Sequence, residues 1–268
     1  MRRQSVTCSI ASVLMLLFAA PGHAQLPAPN AAGVSMGHIH FTVPNTARHR
    51  QIWTSLGGTA GASGVLEYVA FPGIYVLLTE GAAEAPSIDT SANHIGFSVQ
   101  DYALYKAKLQ DAGATFFYDS EENGQILADL PDGVRIEILT DKAQQQAIIF
   151  HHIHLAAADT LALREWYLQV FGADAGERRG LPSALVPGGR VDVFSANGPL
   201  LRGSQGAALD HIGFEVADMD AFAAHIASLG IAFDVAPRRV DAIGLSIAFL
   251  TDPVGTYIEI TQGLAAIE

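Results

Sequence analysis

The phrase His-Ile-x-(Phe/Leu) occurs four times in this 268-residue chain, as His38-Ile39-His40-Phe41, His94-Ile95-Gly96-Phe97, His152-Ile153-His154-Leu155 and His211-Ile212-Gly213-Phe214. The first histidines stand at positions 38, 94, 152 and 211, so the copies start 56, 58 and 59 residues apart. This regular spacing indicates four copies of one unit, longer than most solenoid repeats. A histidine at the same place in every copy predicts a shared metal site.

Each copy continues with the signals of a short helix. A capping residue stands seven positions after each histidine, and a glycine follows 12 or 13 residues later: Asn45 with Gly57, Asp101 with Gly113, Asp159 with Gly172, and Asp218 with Gly230. These pairs predict three-turn helices, such as Thr46–Leu56 and Tyr102–Ala112. Strand-like stretches follow at Val65–Ala70 and Ile74–Thr79 in the first copy, and at Thr115–Tyr118, Gln125–Asp129 and Arg135–Leu139 in the second.

The order of these segments predicts an α+β fold with two domains. The polar stretch Asp141 to Gln146 lacks apolar periodicity and separates the copies into two pairs. We therefore expect a first domain over residues 36–141 and a second over residues 148–263. One unit cannot cover both faces of its sheet, so each domain should pair two βαβββ units into a partly open barrel with external helices. Residues 25–35, rich in Pro and Ala, are predicted to be a flexible lead-in.

The first 24 residues have the pattern of a cleavable export signal. Arg2 and Arg3 precede the apolar stretch Ile10–Ala20, and Gly22-His23-Ala24 resembles a cleavage site. The apolar stretch is too short to span a bilayer. We expect a periplasmic or secreted protein that begins at Gln25.

Composition excludes several functions. The chain has 15 basic and 27 acidic residues, a net charge of −12 that becomes −14 without Arg2 and Arg3. Such a chain lacks the basic face that nucleic acid or an anionic membrane surface would need. The only cysteine, Cys8, lies in the predicted signal, which excludes thiolate ligands and cysteine nucleophiles from the mature chain. The expected partner is a small-molecule substrate.

Two glutamates complete the candidate metal sites. Glu137 and Glu259 end nearly identical phrases, Asp132-Gly133-Val134-Arg135-Ile136-Glu137 and Pro253-Val254-Gly255-Thr256-Tyr257-Ile258-Glu259. A strand glutamate among apolar neighbours needs an ion pair, hydrogen bonds or a metal. The predicted ligand sets are His38, His94 and Glu137 in the first domain, and His152, His211 and Glu259 in the second. Two imidazoles and a carboxylate suit Fe(II), Mn(II), Ni(II) or Zn(II), and the residue types do not choose among them.

These phrases, together with Phe249 to Glu259 and Trp166 to Gly172, resemble the vicinal oxygen chelate superfamily of glyoxalases, bleomycin-resistance proteins and extradiol dioxygenases. The resemblance covers nearly all of the chain after the predicted signal. It implies paired βαβββ modules and a divalent metal that chelates vicinal oxygens of the substrate. It also implies His152, His211 and Glu259 as ligands, with His38, His94 and Glu137 as a second set. Some relatives pair modules across domains or subunits, which would group His38 with His211 and Glu259, or would make a homodimer.

The resemblance leaves the reaction open. The extradiol signature has a tyrosine where this chain has Phe249, and it has a histidine where residues 240–242 have none. His154 or Tyr257 is a candidate replacement, because each lies two residues from a ligand on the same strand face. The glyoxalase arrangement uses a fourth ligand, a carboxylate at the end of the odd module, which Asp192 could supply in the second domain. Three functions remain: an exported glyoxalase-like isomerase or lyase, an Fe(II) ring-cleaving dioxygenase, and a ligand-binding protein of the bleomycin-resistance type.

The two predicted sites differ in one neighbour. Arg135 lies two residues before Glu137, where a guanidinium could neutralise the glutamate in place of a metal. The second domain has Tyr257 there, so the second site is predicted to be the working one. Three other histidines are predicted to lie on the polar surface: His49, His151 and His225. The helix aromatic residues are predicted to pack in the core: Trp53, Trp166, Tyr167 and Phe222.

Overall fold

The computed structural model describes residues 26–196 and 201–267, which form four βαβββ modules. Each module runs from a long strand through one helix to three further strands. Module 1 contains β1 (Val34–Val43), α1 (Thr46–Leu56), β2 (Thr59–Ser63), β3 (Leu66–Phe71) and β4 (Ile74–Glu80). Module 2 contains β5 (Ala92–Val99), α2 (Tyr102–Asp111), β6 (Thr115–Ser120), β7 (Gln125–Asp129) and β8 (Arg135–Thr140).

The second half of the chain repeats this order. Module 3 contains β9 (Ile148–Ala157), α3 (Thr160–Phe171), β10 (Asp174–Arg178), β11 (Leu181–Val186) and β12 (Gly189–Ser195). Module 4 contains β13 (Leu209–Val216), α4 (Met219–Ser228), β14 (Val235–Val240), β15 (Leu245–Thr251) and β16 (Tyr257–Gln262). The sequence did not predict β2, because its residues Thr-Ala-Gly-Ala-Ser lack the apolar alternation of a half-buried strand.

The helices begin at the predicted caps. Asn45, Asp101, Asp159 and Asp218 each accept a hydrogen bond from the backbone N–H three residues ahead. This bond satisfies one of the free donors of the first helical turn. Gly57 and Gly172 end α1 and α3 in the left-handed conformation that glycine adopts without steric cost.

The modules pair differently from the main prediction. One eight-stranded sheet has the order β14-β15-β16-β13-β1-β4-β3-β2, and the other has the order β10-β11-β12-β9-β5-β8-β7-β6. We call them sheet 1 and sheet 2. Sheet 1 joins modules 1 and 4 through the antiparallel pair β1 and β13, and sheet 2 joins modules 2 and 3 through β5 and β9. The prediction that modules 1 and 2 share a sheet is wrong, and the cross-domain pairing is the one that forms.

Chain connectivity accounts for this pairing. Residues 141–147 connect β8 to β9 directly, whereas the longer stretch 81–91 connects β4 to β5. Modules 2 and 3 can therefore lie side by side in one sheet, as neighbouring elements usually do. Modules 1 and 4 remain and pair with each other.

The two sheets share a core. One apolar cluster contains buried side chains from both sheets and all four helices. Phe71 of sheet 1 meets Phe97 of sheet 2 with ring centroids 4.8 Å apart, and Phe171 of α3 stacks on Phe214 of β13 at 4.0 Å. Trp53, Tyr167 and Phe222 are buried as predicted, and Trp166 packs at the edge of this cluster.

Two local expectations need correction. His49 does not face solvent: it is fully buried on α1, and its Nε2 lies 2.9 Å from Asp132 Oδ2. The lead-in is also packed, since Leu26 is buried and the Asn30 amide donates to the carbonyls of Phe171 and Gly172. His225 is exposed as predicted. The predicted export signal lies outside the described residues, among which no helix is long and apolar enough to cross a membrane.

Two candidate metal centres

The structure gathers the predicted ligands into two clusters, one on each sheet. Site 1 is His38, His40, His211 and Glu259 on sheet 1, and site 2 is His94, Glu137, His152 and His154 on sheet 2. In each cluster one candidate ligand atom per residue lies within 4.8 Å of all the others. All six predicted ligands are therefore in a cluster. Their predicted grouping is wrong, because His38 and His152 exchange places: His38 joins His211 and Glu259, and His152 joins His94 and Glu137.

Strand alternation and two glycines position the clusters. In β1 the side chains of His38 and His40 lie on one face, and the paired strand β13 brings His211 beside them. Gly213 gives room for the His38 ring, since a Cβ there would lie 2.1 Å from its Cε1 atom. Gly96 serves the same purpose for His152 in site 2, where the corresponding distance is 2.0 Å. The space at each of these glycines is thus filled by the partner module's histidine.

Site 1 converges on one carboxylate oxygen. His38 Nε2 and His211 Nε2 each lie 3.0 Å from Glu259 Oε2. His40 stands next to them, with its Nε2 2.7 Å from Thr79 Oγ1 and its Nδ1 buried without a hydrogen-bond partner. His211 Nδ1 is 2.6 Å from Asp210 Oδ1, so a carboxylate orients this imidazole from behind.

The ionisation states of site 1 follow from burial and pairing. Burial lowers the pKa of His38 and lowers that of His40 well below its ordinary value, so both are neutral imidazoles. Burial alone would also lower the pKa of His211, but its hydrogen bonds to Asp210 and Glu259 raise it to about 9. The same hydrogen bonds from His211 and His38 outweigh the burial of Glu259 and hold its pKa well below normal. Glu259 is therefore an anion despite its burial.

Site 2 has the same frame with different neighbours. His152 Nε2 and His94 Nε2 lie 2.9 Å and 3.2 Å from Glu137 Oε2, and His154 Nδ1 lies 2.7 Å from His94 Nε2. The residue behind His94 is the neutral Asn93, at 2.8 Å. Burial lowers the pKa of His152 to about 3, which makes it a neutral imidazole.

An arginine completes site 2, but it is not Arg135. Arg135 pairs with Asp129 through its Nε at 2.6 Å, and so the prediction that it neutralises Glu137 is wrong. Arg178, at the end of β10, places its Nη2 3.3 Å from both Glu137 oxygens and its Nε 3.0 Å from Asp192 Oδ2. No sequence pattern points to this contact, since β10 and β8 are five positions apart in the order of sheet 2 and meet only because the sheet curls.

The predicted acid and base candidates fall in different sites. His154 belongs to site 2, whereas Tyr257 lies in site 1, with its ring 6.0 Å from that of His211. Asp192 is fully buried and faces site 2 opposite His154, with 3.6 Å between Oδ2 and Nε2. Its counterpart opposite His40 is Leu77. The sequence reasoning did not select His40 or Asp210 as site residues, although the repeat of His-x-His in the odd copies was a signal for His40.

Site 1 fits a divalent metal by its donor set. Two imidazole Nε2 atoms and one ionised carboxylate oxygen approach a common point, and the unpartnered His40 Nδ1 is a further donor beside them. Among the described residues, no arginine or lysine forms an ion pair with Glu259. A cation would satisfy an arrangement that is otherwise rich in acceptors and negative charge.

Comparison with known proteins finds a family match in the second half of the chain. Residues 149–260 match the sequence profile of the Glyoxalase/Bleomycin resistance protein/Dioxygenase superfamily. No curated protein matches the sequence significantly.

Solved structures share the fold over most of the chain. A V278E mutant of glyoxalase I from Zea mays has a TM-score of 0.67 at 15% identity, covering 87% of this chain and 94% of that one. The Zea mays glyoxalase I structure itself gives 0.64 at 15% identity, with coverages of 87% and 94%. A candidate dioxygenase from Bacillus subtilis gives 0.64 at 16% identity, with coverages of 89% and 86%. The profile match over residues 149–260 and the shared fold of the four βαβββ modules support the vicinal oxygen chelate superfamily.

Proposed function

We propose that this protein is an exported, metal-dependent glyoxalase-like enzyme of the isomerase or lyase type, which binds a small oxygenated substrate at site 1. The observation that carries the proposal is the convergence of His38 Nε2 and His211 Nε2, each 3.0 Å from Glu259 Oε2. His38, His211 and Glu259 would hold the metal. A bound divalent metal supplies Lewis-acid polarisation of the substrate oxygens.

The remaining residues of site 1 have roles in orientation and metal binding. Asp210 fixes the His211 ring through Nδ1, which leaves Nε2 directed toward Glu259. His40 is neutral, and its buried, unpartnered Nδ1 would be a fourth donor to the metal. Thr79 holds the opposite nitrogen of that ring at 2.7 Å.

Metal analysis of a histidine variant tests the proposal. His211→Ala should lose the metal bound at site 1 and reduce turnover by at least about a hundredfold, as loss of a metal ligand or general base does. His225→Ala is a matched control, since His225 is exposed on α4 and its Nε2 donates to the Gln169 carbonyl outside either cluster. Metal content by mass spectrometry and lyase or isomerase assays with small carbonyl substrates are the measurements. A His211→Ala protein with unchanged metal content would rule out site 1.

Oxygen-dependent ring cleavage with Fe(II) is a second candidate, supported by an aromatic pair. Phe249 and Tyr257 stack at 4.9 Å with an angle of 13°, and both rings meet the edge of His211. Two histidines and a carboxylate with open positions are also the ligand set of non-haem Fe(II) oxygenases. Oxygen uptake with catechols would favour ring cleavage. Tight binding of a ligand by metal-free protein, without turnover, would favour the bleomycin-resistance type.

Export remains part of the proposal and rests on the basic, apolar and cleavage segments of residues 1–24. Amino-terminal sequencing of the natural protein should begin at Gln25. An uncleaved amino terminus on the natural protein would argue against export by this signal.

A further inference from the structure

We infer that Arg178 takes the place of a metal cation in site 2, so that this second cluster is a structural cross-link between modules 2 and 3. The Arg178 guanidinium approaches both oxygens of Glu137 at 3.3 Å, and its Nε is 3.0 Å from Asp192 Oδ2. Its side chain is 11% exposed and Glu137 is 1% exposed. A guanidinium stays charged at all accessible pH values, so it supplies a permanent cation to this buried carboxylate. The inference is independent of whether site 1 is catalytic.

Both oxygens of Glu137 have polar side chains against them. Its Oε2 faces His152 and His94, and its Oε1 accepts 2.7 Å and 3.3 Å hydrogen bonds from Gln125 Nε2 and Arg178 Nη2. Glu259 differs, because both of its short contacts use Oε2 and come from histidines. Both sites contain the same arrangement of histidines around a glutamate, so the difference between the two glutamates comes from the side chains around that arrangement.

The strand registers show that the polar side chains around Glu137 have no polar counterparts in site 1. Arg178 pairs with Leu181 as Ser63 pairs with Leu66, and Asp192 pairs with His154 as Leu77 pairs with His40. Gln125, two residues before the partner of Glu137, corresponds to Ile247 in the strand opposite Glu259. Site 2 thus has an arginine, a carboxylate and an amide at three positions, where site 1 has Ser63, Leu77 and Ile247. These three side chains contact Glu137 or each other, which indicates one connected arrangement.

Backbone geometry at the next residue supports the same conclusion. Arg179 has φ of 50°, and the residue at this place in module 1 is Gly64, with φ of 59°. The left-handed conformation costs an arginine free energy that glycine does not lose. Arg179 uses this position to donate from Nη1 to Gln125 Oε1 at 3.0 Å. Two successive arginines of β10 and its turn therefore bind module 2 side chains across the concave face of sheet 2.

Zinc stoichiometry tests the inference. Full-length protein is stripped with a chelator, supplied with Zn(II), separated by gel filtration and analysed for zinc per chain. We expect one zinc in the wild type, one in His94→Ala and two in Arg178→Met. The double variant Arg178→Met with His94→Ala should return to one. Arg202→Met is the matched control, since Arg202 pairs with exposed Glu84, and it should keep one zinc.

The possible outcomes separate this inference from the proposed function. Two zinc ions in the wild type, one of which is lost in His94→Ala, would overturn the inference, and so would a folded Arg178→Met protein that gains no zinc. No zinc in the wild type but one in Arg178→Met would support the inference and refute site 1 as the metal centre. If Arg178→Met fails to fold, anomalous diffraction from zinc-supplied wild-type crystals decides: a peak between His94 and His152 would refute the inference, and its absence would support it.

Discussion

Single residues behind the histidines give the two clusters different charges. Asp210 lies 2.6 Å from His211 Nδ1, whereas Asn93 lies 2.8 Å from His94 Nδ1. The carboxylate stabilises the charged imidazole and an amide does so much less, which explains why the pKa of His211 is raised to about 9 while that of His94 is lowered. In a metalloprotein, such a carboxylate raises the basicity of the ligand.

Asp210 should therefore determine the pH dependence of stability in metal-free protein. The pKa of His211 is about 9 when folded and about 6.5 when unfolded. Its stabilisation is complete below about pH 6.5 and is lost as the pH rises to 9, a decrease of roughly 3 kcal/mol. Urea unfolding at pH 6.5 and pH 9 should show this decrease, and Asp210→Asn should largely remove it.

Within site 1, the loss of stability between about pH 6.5 and pH 9 is specific to His211. His38 and His40 have lowered pKa values, so their contribution to stability changes below pH 6.5. Asp220→Asn, an exposed change on α4, should preserve the wild-type slope. Equal slopes in wild type and Asp210→Asn would show that Asp210 does not control His211.

At the scale of elements, one glycine in β13 and one in β5 make room for a histidine of the neighbouring strand in each cluster. A Cβ at Gly213 would lie 2.1 Å from His38 Cε1, and one at Gly96 would lie 2.0 Å from His152 Cε1. Both distances are far inside van der Waals contact, so either histidine must move if the glycine is replaced. The two positions are structurally equivalent and therefore make a matched pair of tests.

Gly213→Ala should displace His38 and weaken metal binding at site 1 by about tenfold or more, since a shifted ligand distorts the coordination. Gly96→Ala should disturb site 2 to the same extent, lower thermal stability by a few degrees and leave the metal content unchanged. Zinc titration and thermal unfolding of both variants are the measurements. A loss of zinc in Gly96→Ala rather than in Gly213→Ala would assign the metal to site 2.

At the scale of the whole molecule, each sheet contains modules from both halves of the chain. Module 1 pairs with module 4 and module 2 with module 3, so residues 26–141 contain one half of each sheet. Phe71 of sheet 1 contacts Phe97 of sheet 2, and Phe171 of α3 in module 3 contacts Phe214 of sheet 1. These contacts join the two pairs of modules. The first half contains β1 and β5, whereas their antiparallel partners β13 and β9 lie in the second half.

Splitting the chain within residues 142–146 should therefore give two fragments that fold only together. Co-expressed fragments should co-purify in equal amounts and bind zinc as the intact chain does. Either fragment alone should lack a cooperative unfolding transition as a monomer, because its long first strands expose unpaired edges. A monomeric fragment with a sharp transition, measured by circular dichroism and light scattering, would contradict this.

The sequence by itself determined the module, its helix caps, the four histidines and two glutamates of the predicted ligand sets, and the resemblance to the superfamily. These features depend on local spacing, such as the seven residues from His38 to Asn45, and local spacing is preserved in the fold. Only the tertiary structure decided how the ligands group. All four first strands have the same apolar alternation, so any pairing of an odd with an even module would bury them equally well. Arg178 likewise meets Glu137 across a curled sheet, and no pattern along the chain relates residues that are 41 positions apart in this way.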